Sequence, residues 1–156
     1  MSMSNIFTII GMCLYLQIQH PEPVHFATSD AIDVARLIAR DLGYPIDKDR
    51  GMFYFDLLLN ANGRPMFKGY TSIGFYADVR PIYHFEINES TGQVVDATVC
   101  AVFDVPSLKP FEKSRRRLTG ARPRTLDELS DDVGCDKLRI VRKSRLQEKG
   151  STTSKD

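Results

Sequence analysis

The stretch YHFEINESTGQVVDATV, Tyr83 to Val99, decides how the chain is read. Tyr83, Phe85 and Ile87 fall on one face and Ile82, His84 and Glu86 on the other, which is the two-residue period of a strand. Asn88 to Gly92 is a run of turn formers. Alternation then resumes: Val95, Ala97, Val99, Ala101 and Phe103 share a face, with Val94, Asp96, Thr98, Cys100 and Val102 opposite. The pattern predicts a β-hairpin whose second arm runs unbroken from Val94 to Phe103. One face of such a sheet packs on a helix while the other stays partly wet.

The flanking segments supply the rest of a small domain. Ile32, Ala35, Ile38, Ala39 and Leu42 recur at three- and four-residue intervals, so the chain from about 30 to 42 predicts an amphipathic helix. Ser29 or Asp30 is placed to cap it, and Gly43 and Pro45 end it. The aromatic run GMFYFDLLLN, Gly51 to Asn60, and the segment Tyr70 to Ala77 predict two strands, joined through a turn at Asn62-Gly63. After Pro106 the period changes. Ser107 heads a helix with Leu108, Phe111, Arg115 and Leu118 on one stripe, stopped by Gly120. Thr125 and Glu128 form a capping-box pattern before Leu126, Leu129 and Val133, and Gly134 stops that helix. KLRIV adds a short edge strand. The expected fold class is α+β: one N-terminal helix packed on a four-stranded antiparallel sheet, followed by two short helices behind.

A chain of 156 residues suits one domain. Three regions are expected: a leader-like segment and linker over 1–27, a single α+β domain over 28–143, and a disordered, charged tail over 144–156. The apolar run IFTIIGMCLYL, Ile6 to Leu16, is eleven residues long, too short for the roughly 20 that span a bilayer. Its length fits the core of a signal peptide, with cleavage after Ala27 just ahead of the first helix. Against that, MSMSN carries no basic side chain and His25 occupies a position where a small residue belongs. The same run equally suits a buried first strand or helix. IIGMC resembles a lipid-attachment box around Cys13, but Met12 stands where a small residue belongs. Loss of a leader would leave two cysteines, Cys100 and Cys135, and an oxidising compartment would let them pair. The expected disulfide ties the last strand of the sheet to the end of the capped helix. In a reducing cytosol they would remain thiols.

A helix of the kind AIDVARLIARDLG, a strand of the kind Tyr83-x-Phe85-x-Ile87, a polar turn and Thr91-Gly92-Gln93-Val94-Val95 together resemble PepSY-type domains over about residues 30–103. The turn opens with Asn88 where that family usually has Asp, and the insertion between helix and hairpin is longer than a minimal module needs. The resemblance implies a small module of an exported bacterial protein, with a binding or inhibitory role and no catalytic residues. A cystatin-like helix-on-sheet arrangement matches the same pattern.

The chain shows little chemistry. Its histidines are His20, His25 and His84, and no C-x-x-C or H-E-x-x-H is present, so no metal site is expected. His84 beside Glu86 reads as a surface pair. His84 and Cys100 share a nominal face, yet a thiol–imidazole dyad needs an orienting group that the sequence does not show. Asp47 with Asp49, Glu86 with Asp96 and Asp131 with Asp132 are carboxylate pairs without a defined cleft. No nucleophile elbow or phosphate loop appears.

Charge is unevenly spread: residues 109–149 hold 13 Lys and Arg against 7 Asp and Glu, while 1–108 hold 7 against 12. Arg116, Arg117, Arg122 and Arg124 are therefore the candidate anion-binding residues, although Phe111 is the only aromatic near them. No catalytic residue and no cofactor is expected. The reading is a non-catalytic module, exported to the periplasm or secreted, that binds or inhibits an unknown protein or peptide. The alternative is a cytosolic domain whose basic C-terminal third docks on nucleic acid or another anion.

Overall fold

A computed structural model describes residues 26–47 and 51–142. Three helices, α1 (Thr28–Asp41), α2 (Leu108–Thr119) and α3 (Leu126–Val133), accompany six strands. The strands are β1 (Phe53–Leu58), β2 (Tyr70–Ala77), β3 (Arg80–Asn88), β4 (Val94–Asp96), β5 (Ala101–Phe103) and β6 (Arg139–Val141). They form a single mixed sheet in the order β1-β2-β3-β4-β5-β6, antiparallel except for the parallel β5–β6 pair.

The four-stranded antiparallel expectation is thus corrected to six mixed strands. One reason lies in the second arm of the hairpin. Asp96 is fully buried, and its carboxylate accepts from the backbone N–H of His84, Thr98 and Val99 and from the Thr98 hydroxyl. Such short-range bonds offer the backbone an alternative to a ladder. The chain turns over Ala97–Cys100, with Cys100 at φ 47°, and β5 returns antiparallel to β4. The other reason is that KLRIV pairs in parallel with β5 after the excursion through α2 and α3.

One face of the sheet is covered by α1 and α2, and part of the other by α3. Ile73, Phe75, Phe85, Ile87, Val94, Ala101 and Phe103 point to one side, against Ala31, Val34, Ala35, Ile38 and Ala39 of α1 and Leu108 of α2. Burying each large apolar side chain here contributes about 1.5–3 kcal/mol. Tyr70, Val95 and Val102 point to the other side and meet Leu129 and Val133 of α3, Cys135 and Leu138. α3 therefore lies across the sheet from α1 rather than behind it.

Caps follow the sequence in part. Thr125 and Glu128 close the capping box of α3. For α1 the expected caps at Ser29 and Asp30 are corrected: the helix begins at Thr28, Ala27 is its N-cap, and no side chain caps it. Ser107 precedes α2 without a side-chain cap bond, and its backbone N–H instead donates to Asp41 at 2.8 Å.

Cys100 and Cys135 are joined as a disulfide, Cα to Cα 5.8 Å, tying the start of β5 to the end of α3. The apolar run around Cys13, His20 and His25 and the tail from 143 lie outside the described residues. Phe26, within the expected leader, is buried in the core against Phe111, and the Arg115 guanidinium lies 5.1 Å over its ring.

Candidate functional site

Three places at the margin of the core combine accessible side chains with a cleft or an unpaired edge. The first is the outer edge of β1, which pairs with β2 on one side and, among the described residues, with no strand on the other. Met52 accepts a hydrogen bond from Asp78 N–H at 2.7 Å. By antiparallel alternation Tyr54 and Asp56 then aim their backbone groups at β2, while Phe53, Phe55 and Leu57 aim theirs outward. Arg36 of α1 and residues 46–47 flank this edge. A cavity of about 360 Å3 lies between Arg36, Ile46 and Asp47 on one side and Phe53, Tyr54 and Phe55 on the other. Arg36 stands 5.8 Å over the Phe55 ring and 3.4 Å from Asp33. Arg40 grips Asp47 with two 2.9 Å bonds, which hold the Asp47 carboxyl below its usual pKa.

The second place is the sheet face opposite α1, beyond the reach of α3. Tyr54 and Tyr76 stack at 4.8 Å and 10°, and Tyr54 is 43% exposed. The Tyr76 ring lies across Gly74, where a Cβ would sit only 2.4 Å from Cε2. Any side chain at position 74 would require that ring to shift. His84 is 6.4 Å from Tyr76, centre to centre. Next along the face, Glu86 is buried and accepts a short hydrogen bond from the Ser72 hydroxyl. Burial raises the Glu86 carboxyl to about pKa 7, with the Ser72 bond opposing and the charge of Asp96 adding.

The third place is a polar cleft of about 450 Å3 between Lys68, Tyr70, Asn88, Thr91, Arg122 and Asp132. Its floor is a bonded network: the Tyr70 hydroxyl and Arg124 both donate to Asp132 at 2.7 Å. Burial, then Asp132, pushes the Tyr70 hydroxyl far above its usual pKa. The linker before α3 is held by Gln93, which donates to the Arg124 carbonyl and accepts from its N–H.

The four candidate anion-binding arginines do not converge. Arg122 and Arg124 line the cleft, but each already holds a carboxylate, Glu128 and Asp132 respectively. The Arg122 bond, with the Thr125 N–H, lowers Glu128 to about pKa 2. Arg116 stands 3.7 Å from Glu112 on α2 and Arg117 is exposed, and neither lines the cleft. The His84–Cys100 dyad has no thiol, since the Cys100 sulfur is bonded to Cys135. Among the described residues no group of three or more His, Cys, Asp or Glu side chains is placed to hold a metal. None of their helices is long and apolar enough to cross a membrane. Sequence reasoning passed over the Tyr54–Tyr76 stack and the free edge. The alternation of FYFDLL, with only one charge and no proline, is the signal that could have pointed to both.

Neither a protein-family model nor a curated protein matches the sequence. Among solved structures, the chain is similar to one from a type VI secretion system effector–immunity complex of Pseudomonas protegens. The TM-score is 0.61 at 20% identity, over 72% of this chain and 91% of that one. The likeness is one of fold. It replaces the PepSY-type and cystatin-like resemblances, which no family match supports and which the six-stranded mixed sheet does not fit.

Proposed function

We propose that this chain is a non-catalytic protein-binding module that neutralises a partner protein, the immunity role in an effector–immunity pair. The observation that carries this reading is the likeness of fold to a chain from such a complex, along nearly the whole of that chain. The sites agree in kind. The cleft's arginines are already held by carboxylates, while the stacked Tyr54–Tyr76 pair offers the exposed aromatic surface typical of interface anchors. The module works in an oxidising, extracytoplasmic compartment, a reading supported by the Cys100–Cys135 bond and the apolar N-terminal run.

The test starts by isolating the partner from the source cells with a tagged full-length chain. That partner is then expressed in the periplasm of a bacterial host, with and without the chain. Growth arrest relieved by stoichiometric chain is the expected result. A partner that harms no host compartment, or whose harm the chain does not relieve, removes the neutralising role. Tight, steeply salt-dependent retention of the chain on heparin would instead favour the anion-binding alternative.

A further inference from the structure

We propose that the free edge of β1 receives an extended strand from the partner protein, one whose residues alternate between apolar and basic. This rests on the protein-binding reading above and specifies how the partner is held.

The edge itself is the first argument. Exposed edge strands are ordinarily blunted by charged side chains, Lys above all, by Pro, by a bulge or by a covering helix or loop, because their unpaired backbone groups recruit other strands. Over Phe53–Leu58, β1 has no Lys, Pro or bulge and a single charge, Asp56, and its pairing with β2 is in continuous register. The backbone groups of Phe53, Phe55 and Leu57 face outward, and no backbone partner for them occurs among the described residues.

The second argument is the groove. The cavity along Phe53 and Phe55 shares Arg36, Ile46 and Asp47 with a further cavity of about 610 Å3 beside α1. The two make a trough between a helix and a sheet edge, the setting in which added strands dock. It offers the partly buried Leu37 and Ile46 from its α1 side and Phe53 and Phe55 from β1 to the apolar residues of an incoming strand.

The third argument is charge. The incoming strand's alternate side chains would lie beside Tyr54 and Asp56. The row Tyr54, Asp56, Tyr76 and His84 carries an exposed carboxylate and two stacked aromatic faces, and no Lys or Arg. Arg36 and Arg40, on the other side, are engaged by Asp33 and Asp47. A Lys or Arg opposite Asp56 gains both a counter-ion and an aromatic face. A second copy of the chain, paired about Asp56, would set two carboxylates against each other.

The experiment uses the full-length, isotope-labelled chain and two end-blocked octapeptides. One alternates Val and Lys and the other Val and Glu. Amide exchange is followed residue by residue at millimolar peptide. The Lys peptide should slow exchange at Phe53, Phe55 and Leu57 at least tenfold, the Glu peptide should leave it unchanged, and Asp56→Lys should reverse the preference. The proposal is overturned if those amides are already protected in the dilute chain alone, which would place the chain's own segment on the edge. It is overturned equally if their protection grows with chain concentration, which would place a second copy there. Equal action of both peptides, or no slowing by either, also ends it. The assay needs no natural partner, so it fails separately from the neutralisation test. Peptide binding at β1 without a neutralised protein counts against the functional reading alone. Neutralisation undiminished by Asp56→Lys counts against strand addition alone.

Discussion

Glu86 and Ser72 face each other across the β2–β3 ladder, and the Ser72 hydroxyl donates to a carboxyl that is only 3% exposed. Burial favours the neutral acid, so Glu86 sits near pKa 7 in the fold, against an ordinary value of 4.5. A raised acid pKa means that the folded state binds the proton more tightly than the unfolded state. Stability from this group is fully present below about pH 4.5 and is lost as the pH climbs to about 7. The loss is on the order of 3 kcal/mol. Glu86→Gln, neutral at every pH, should match the parent near pH 4 and exceed its stability by about that amount at pH 8. Urea unfolding at the two pH values checks this, and a gap that does not change with pH would refute it.

Gly92 closes the β3–β4 turn against the backbone of α2. Its φ is 75°, and a Cβ there would stand 3.0 Å from Glu112 Cα and 3.0 Å from the Phe111 ring. Gly92→Ala is expected to destabilise the domain by roughly 2–4 kcal/mol, combining left-handed strain with a contact that backbone must yield to. Gly120 also has positive φ, but nothing lies within 4 Å of its Cβ position, so Gly120→Ala should carry only the conformational part, about 1–2 kcal/mol. Equal losses in the two variants would show that the packing against α2 is slack.

What could be read from the sequence was whatever rests on local chemistry. The spacing of Ala35, Ile38, Ala39 and Leu42 marks the buried face of α1, and Thr125 with Glu128 marks the start of α3. The break between β4 and β5 was illegible because alternation continues through Ala97–Cys100. Only the buried Asp96 carboxylate, gathering three N–H groups, turns the chain there. The partner of β6 is set by a parallel return across some 40 residues, which no local pattern encodes. The same holds for the sites. The polar cleft joins Lys68, Thr91, Arg122 and Asp132 from four separate segments. Basic residues adjacent in sequence, Arg116 and Arg117, do not reach it.

Arg115 differs from its neighbours Arg116 and Arg117 in being buried. Its Nε donates to the Glu89 carbonyl at 2.8 Å and its guanidinium covers Phe26, so it holds the hairpin turn and the start of the domain onto α2. Arg115→Ala should cost about 2–4 kcal/mol, from a charge-assisted bond and a cation–π contact. The double change Arg116→Ala and Arg117→Ala should stay within about 1 kcal/mol, since exposed charges and a 3.7 Å pair contribute little. Thermal unfolding distinguishes the two, and a loss of several kcal/mol in the double variant would point to a buried network around Glu112.

The Cys100–Cys135 bond closes a segment of 35 residues that holds α2 and α3. In the chain-entropy account such a closure stabilises by roughly 4 kcal/mol, by restricting the unfolded chain. Its place in the fold adds a second consequence. α3 meets the sheet through a small apolar cluster of Leu129, Val133, Cys135 and Leu138, whereas α1 and α2 share the larger core with Phe75, Phe85 and Phe103. Replacing both cysteines by Ala should therefore lower stability by about 3–4 kcal/mol and loosen one face first. Amide exchange at Leu129 and Val133 should rise more than exchange at Ile38 and Ile87. Uniform loss of protection over both faces would show instead that the two clusters unfold as one unit. The unmodified chain bears on the compartment: recovered from source cells with Cys100 and Cys135 as free thiols, it would remove the disulfide as support for export.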